Sequence, residues 1–276
     1  MNDIKPVISI VTVVLNNAAG FRITADSVAG LDYPFTEFIV IDGGSIDGTL
    51  RVIEEYASHI KIRVSEPDRG IYDAMNKGIR FATGEWIIFM NAGDVFANPG
   101  ILTMLFKGRT WNADVIYADS VADYTRFRVL QKAGSIDDLW KGMPFCHQAM
   151  LTRTTILKPH GFSLAYPIAA DFDLVYRMHS AQRSFHHFPE PLCIIDVKGL
   201  SSQHYLQSWK ERYTIYKTYG DNSAKGRLFY VRLWILFAFT RLLYNVLPQK
   251  QTDWIVKFRN RNNNVETGIN IVNNEF

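Results

Sequence analysis

Near the start of the chain stands a continuous apolar, β-branched run, Val7–Leu15, closed by Asn16-Asn17. It is too short for a membrane span and reads as a buried strand rather than a secretory leader. A strand that is apolar on both faces needs layers on both sides, which only helices packed on a sheet supply.

The same alternation recurs through the first hundred residues. Helical periodicity near Ile23–Leu31 is followed by a second strand, Glu37–Asp42, and a helix over Thr49–Ser58. A short strand is expected at Lys61–Ser65, then a helix over Ile71–Ala82 with Gly84 as its C-cap, then a strand at Glu85–Met90. Beyond Asp94 the pattern is mixed, with strands at Val115–Asp119, Phe127–Lys132, Ala149–Thr152 and Cys193–Val197. Helices follow at Asp171–Ala181, Tyr205–Tyr219 and Arg227–Leu247. The fold class is therefore α/β, with a mostly parallel sheet covered by helices on both faces.

In such sheets ligands bind beyond the carboxyl ends of the strands, and the polar residues of this chain fall there. Asn16 follows the first strand, Asp42 the second, Glu66 and Asp68 the third, Asp94 the fourth. Asp42–Thr49 (DGGSIDGT) is by itself a tight turn with Asp47 capping a helix; as chemistry, Asp42 is placed to accept from a nucleotide base. Asp68 and Arg69 precede a helix N-terminus, which favours anions, although a cap and a solvated charge explain them equally. Asn76 and Lys77 lie deeper in that helix, one as a candidate pocket residue and the other as a surface charge.

Asn91-Ala92-Gly93-Asp94 is the sharpest segment. A diphosphate leaving group calls for a hard divalent cation, which takes one or two carboxylates and fills its other positions with phosphate oxygen and water. Asp94 is the candidate ligand and Asn91 a candidate partner for a ribose; a glycine-containing turn is the plainer alternative. In Ala169–Leu174 (AADFDL), Asp171 is the candidate general base and Asp173 the reserve, with helix capping as the competing reading. His147, the doublet His186-His187, and the two cysteines, Cys146 and Cys193, read as structural on residue type alone.

Together these segments resemble the family 2 glycosyltransferases with the GT-A fold, over roughly residues 7–205. The resemblance rests on VISIVTVVLNN at 7–17, IDGGSIDGT at 41–49, SEPDRGIYDAMNKGI at 65–79, GEWIIFMNAGD at 84–94, CHQAM at 146–150 and AADFDL at 169–174. It is similar to the bacterial exopolysaccharide and O-antigen repeat-unit subgroup of colanic-acid type. The resemblance implies an inverting transfer from a nucleoside-diphosphate sugar, assisted by Mn2+ or Mg2+ on Asp94. It implies a nucleotide pocket of Val13, Asn16, Asp42, Asp68, Asn76 and Asn91, with Asp171 as base. It sets His147, Gln148 and Asp173 at the acceptor or diphosphate. Many relatives are acidic where this chain has Asn91 and Gly93, so Asp94 carries the metal expectation alone.

On this reading residues 1–205 form the catalytic domain, 1–94 holding the nucleotide and 95–205 the acceptor. Residues 206–260 form a basic helical extension and 261–276 a flexible tail. The extension holds an asymmetry: residues 210–261 carry eleven Lys or Arg against three Asp or Glu, although the whole chain is only +3. Within it, 228–247 is apolar for twenty residues but broken by Arg232 and Arg241, which disfavour spanning. A helix on an anionic membrane surface, or packed on the catalytic domain, is expected instead. The surrounding charges, Arg212 among them, also suit the pyrophosphate of a polyprenyl-linked saccharide acceptor. No nucleic-acid motif accompanies the basic region. With two cysteines and this surface, the expected location is cytoplasmic, on the inner face of the membrane. A processive synthase, needing several membrane helices and a Q-x-x-R-W motif, does not fit; a silent nucleotide-sugar-binding or scaffold protein is the remaining alternative.

Overall fold

In the computed structural model, which describes residues 5–124, 128–196, 205–221, 223–246 and 271–272, the expected alternation is present. The first half runs β1 (Ile8–Val14), α1 (Ala18–Ala29), β2 (Thr36–Asp42), α2 (Thr49–Glu55), β3 (Ile60–Ser65), α3 (Ile71–Phe81) and β4 (Trp86–Phe89). After β5 (Val95–Phe96) and α4 (Ile101–Phe106) come β6 (Val115–Asp123) and β7 (Arg128–Gln131). Then follow 3-10 turns at Ile136–Lys141 and His147–Ala149, β8 (Met150–Arg153), α5 (Thr154–His160), α6 (Ala170–Ser180) and β9 (Phe185–Asp196). The last elements are α7 (Tyr205–Tyr219), α8 (Ala224–Val246) and β10 (Ile271–Val272).

The sheet has the order β10-β7-β6-β8-β4-β1-β2-β3, with β9 beside β6 and β5 beside β9. β4, β1, β2 and β3 are parallel, whereas β8 runs antiparallel between β4 and β6. Chain order therefore reverses between β1 and β4, so this sheet has a topological switch point at their carboxyl ends.

The two-residue side-chain period of the strands sorts the core into two layers. Ile8, Ile10, Phe38, Val40, Trp86 and Ile88 face α1, α2 and α4. Val11, Val13, Ile39, Ile41, Ile87 and Phe89 face Met75 and Ile79 of α3 and the aromatic residues of α6 to α8. This double burial explains why the strands read as unbroken apolar runs.

Two local expectations are corrected. α1 starts at Ala18, not near Ile23, because the Asn17 side chain accepts from Gly20 N at 3.0 Å and caps it. Gly84 is not a C-cap. A Cβ there would lie 2.7 Å from both Ser9 Oγ and Val7 O, so glycine permits the chain to pass close to β1. Its N–H instead donates to Ser9 Oγ and to Glu37 Oε1, a buried carboxylate that also binds Lys61 and Thr83.

α8 buries Tyr230 against Tyr216 while leaving Leu228, Val231, Trp234, Ile235 and Leu236 half exposed. Among the described residues no helix is long and apolar enough to cross a membrane. The expected tail over 261–276 lies outside the described residues, except for Ile271–Val272, which pair with β7.

Candidate active site

The switch point opens into a cavity of about 660 Å3. Its walls are Val13–Leu15 and Asn17 after β1, Asp68, Gly70, Ile71 and Ala74 at the start of α3, and Asn91, Ala92 and Asp94 after β4. A second cavity, of about 590 Å3, is lined by Tyr72, Lys132, His147, Asp171 and Arg212 among others. Ile71, Asn91, Gln148 and Asp196 line both, so the two spaces meet along these residues.

The turn after β4 is fixed by Thr24, a buried residue of α1. Its hydroxyl lies 3.1 Å from Asn91 O and 2.7 Å from Asp94 O, and it accepts from Gly93 N at 2.9 Å. Gly93 sits at φ 113°, a conformation open to glycine at little penalty. Asp94 is thereby buried at the cavity wall, 5% exposed. Burial pushes its carboxyl up to about 6, against the opposing pull of His147, the Gln148 side chain and nearby backbone. Asp94 Oδ2 and Asn91 Oδ1 are both buried and meet no hydrogen-bond partner among the described residues.

Those orphaned oxygens fit a hard cation, which prefers oxygen ligands. Among the described residues there is no group of three or more ligating side chains, so phosphate oxygen and water would have to complete the shell.

Across the junction, His147 Nδ1 lies 3.2 Å from Asp171 Oδ2. Asp171 Oδ1 accepts from Phe172 N at 2.8 Å and lies 3.1 Å from the Tyr72 hydroxyl, which is also 3.0 Å from Ile168 O. Burial alone would discharge this histidine, but Asp171 outweighs it and raises His147 to about 9. Burial likewise opposes the Asp171 charge, and His147 overcomes it, holding that carboxyl below its usual range. At neutral pH the pair is an imidazolium beside a carboxylate, with His147 Nε2 buried and unpartnered among the described residues.

The remaining expected residues are placed as follows. Asp68 lines the first cavity and accepts from Gly70 N at 2.8 Å. Asp42 stands behind it, fully buried, with Oδ2 accepting from Gly44 N, Ser45 N and Ser65 Oγ. A Cβ at Gly43 would collide with Asp68 Oδ2, so that glycine lets the two acidic segments approach. Asn16 holds the loop by accepting from Ile46 N at 2.9 Å, while its neighbour Asn17 reaches the cavity.

Neither cavity takes in Asn76 or Asp173. The Asn76 amide is occupied by the backbone of Phe162, donating to its O and accepting from its N, each at 2.8 Å. Asp173 is 1% exposed and pairs with Arg177 one turn along α6. Residue-level reasoning missed Thr24, Tyr72 and Asp196, of which Asp196 ends an apolar strand, the signal that singled out Asp94. Arg212, read among charges that suit anionic headgroups or an acceptor pyrophosphate, lines the second cavity.

The chain matches the model of Glycosyl transferase family 2 over residues 9–163. A PGL/p-HBAD biosynthesis glycosyltransferase of Mycobacterium tuberculosis is 33% identical over 181 residues, spanning 63% of this chain and 70% of its own length. A crystal structure of S. aureus TarS in complex with UDP-GlcNAc superposes with a TM-score of 0.61 at 16% identity, over 76% of this chain and 65% of that one. A mannosyltransferase from Pyrobaculum calidifontis, in complex with GDP-Man and Mn2+, superposes at 0.62 and 16% identity over 92% of this chain and 80% of its own.

Proposed function

The chain belongs to glycosyl transferase family 2, and from that premise we propose that it moves a sugar from a nucleoside-diphosphate donor in the first cavity to an acceptor hydroxyl in the second. The observation that carries this reading is the junction: two cavities share Asn91 and Gln148, with Asp94 on the donor side and the Asp171–His147 pair on the other. The UDP-GlcNAc and GDP-Man of the two similar structures support a donor of this chemical class.

The donor half is residues 1–94, where Val13 and Asp68 flank the base and Asn91 the ribose; Asp42 and Asn16 shape that pocket from behind. The N-terminus of α3, at Gly70 and Ile71, faces the same space and favours phosphate. Asp94, with its free Oδ2, would hold Mn2+ or Mg2+; the ion supplies positive charge against the departing diphosphate.

The reaction is a single, inverting displacement. The acceptor oxygen bonds to the anomeric carbon as the bond to the diphosphate breaks, the electron pair leaving with the nucleotide and the proton passing to Asp171. His147 keeps Asp171 ionised beforehand, and Tyr72 fixes its second oxygen. Gln148 lines both cavities, its side chain bonding Asp94 and its Oε1 accepting from Cys146 Sγ at 2.7 Å.

We assign the 95–205 half to the acceptor, a saccharide carried on polyprenyl pyrophosphate in the assembly of bacterial surface polysaccharide or glycolipid. The exposed apolar residues of α8, interleaved with Lys225, Arg227 and Arg232, support a peripheral site on the anionic inner face of the cytoplasmic membrane. Donor hydrolysis, and transfer to a synthetic lipid-pyrophosphate acceptor with and without Mn2+, test the reading. Turnover that needs the metal is expected; nucleotide binding without turnover under any condition would instead mark a silent binding protein.

A further inference from the structure

We propose that the second cavity seats a phosphate group of the acceptor on Arg212 and Lys132, in the same cavity as Asp171. The inference rests on the transferase reading above and names the residues that hold the acceptor's phosphate.

The position of Arg212 is fixed by its own helix. Glu211, the preceding residue of α7, accepts from Ile168 N at 2.9 Å and Ala169 N at 2.8 Å. Those two residues lead directly into α6 and Asp171, so the base and Arg212 are held on one frame. The Arg212 guanidinium lies 5.8 Å from the centre of the Phe172 ring, and it is close enough to help hold the Asp171 carboxyl down.

Arg212 Nε is buried and has no hydrogen-bond partner among the described residues. A desolvated, unpaired charged donor is costly, and a ligand oxygen relieves the deficit. His147 Nε2 is a second such atom on the same wall. Lys132, exposed just past β7, supplies a further cation at the rim.

The Asp171 carboxylate is already engaged by His147, Tyr72 and Phe172 N. Guanidinium geometry matches phosphate oxygens, so a phosphorylated acceptor complements this wall where a neutral sugar does not. The phosphate then lies in the same cavity as Asp171, the base of the proposed transfer.

Inorganic pyrophosphate, titrated into the full-length protein in EDTA, is the probe. Arg212→Gln and Lys132→Gln are each expected to weaken its binding about tenfold, the loss of one charged hydrogen bond. Asp94→Asn and Asp68→Asn are expected to leave it unchanged. Lys132 is exposed, so Lys132→Gln carries the test if Arg212→Gln disturbs packing. Unchanged binding in both cation variants, or undetectable binding by the wild type, overturns the proposal. Nucleoside diphosphate with Mn2+ is titrated in parallel. Its binding should weaken in Asp94→Asn and survive Arg212→Gln; loss in Arg212→Gln would mean that these residues serve the donor instead. Absence of nucleotide binding in the wild type would sink the transferase reading while the pyrophosphate titration still reports on the anion site.

Discussion

At the residue scale, the account turns on a few polar atoms left without partners. Asp94 Oδ2 and Asn91 Oδ1 stand on the donor side, His147 Nε2 and Arg212 Nε on the acceptor side. Among the described residues Thr12 Oγ1, Asp42 Oδ1, Trp209 Nε1 and the Tyr230 hydroxyl are orphaned too, but it is Asp94, Asn91, His147 and Arg212 that line the two cavities. Since buried polar atoms are normally satisfied, these cavity-lining orphans mark where ligand atoms belong. Asp94→Asn keeps size and burial while removing the negative charge. We expect it to reduce Mn2+-supported nucleotide binding and to lower transfer about a hundredfold or more, read by calorimetry and by turnover. Sequence had already singled out Asp94 and Asp171, because each is a carboxylate at the edge of an apolar element. It was blind to Thr24 and Tyr72, since a threonine and a tyrosine inside amphipathic helices look like ordinary core residues until the fold brings them to the turn and the base. Asn76 shows the converse: the amide of a polar residue in a conspicuous motif is occupied by the backbone of Phe162, which the sequence does not reveal.

At the scale of elements, β1, β2 and β4 were legible because double burial leaves an unbroken apolar run, whereas the edge strand β3 alternates partly buried and exposed residues. β9 was read only in its last part. Pro189 and Pro191 weaken its first half as a strand, and the structure accommodates them where the register with β6 shifts, between Ala118 and Asp119. α4 and α5 are 6 and 7 residues long, too short for a period to declare itself. The close approach of Gly78 on α3 to Val11 on β1 yields a prediction. Gly78→Ala forces a methyl into the Val11 side chain and should cost about 1–3 kcal/mol in a urea titration.

The Glu37 cluster ties β2 to β1 and to the β4 approach, and its titration has a definite sign. Burial raises this carboxyl, but Lys61, Ser9 and Thr83 outweigh it and hold Glu37 at about 2. A depressed carboxyl stabilises the fold above its unfolded pKa, about 4.3, and that stability is lost as pH falls toward 2. Glu37→Gln should therefore cost on the order of 1–3 kcal/mol at pH 7 and show a shallower loss between pH 5 and 2 than the wild type. Urea midpoints across that range check it.

At the scale of the whole molecule, α8 presents exposed apolar side chains interleaved with Lys225, Arg227 and Arg232. The basic, apolar face of α8 suits an anionic lipid surface, each Lys or Arg contributing about 1 kcal/mol near it. The folded protein should float with phosphatidylserine-containing vesicles and not with neutral ones, and Trp234→Asp with Ile235→Asp should abolish flotation without changing nucleotide binding. Flotation of that double variant would remove α8 from the account.

The central claim is that donor and acceptor meet between Asp94 and Asp171. Its most direct test is one variant read twice: Asp171→Asn, with nucleoside diphosphate affinity measured by calorimetry and transfer measured by turnover on a lipid-pyrophosphate acceptor. The account predicts unchanged nucleotide affinity with transfer reduced about a hundredfold or more, as expected when a general base is removed. Near-normal transfer, or nucleotide binding lost together with transfer, would contradict it.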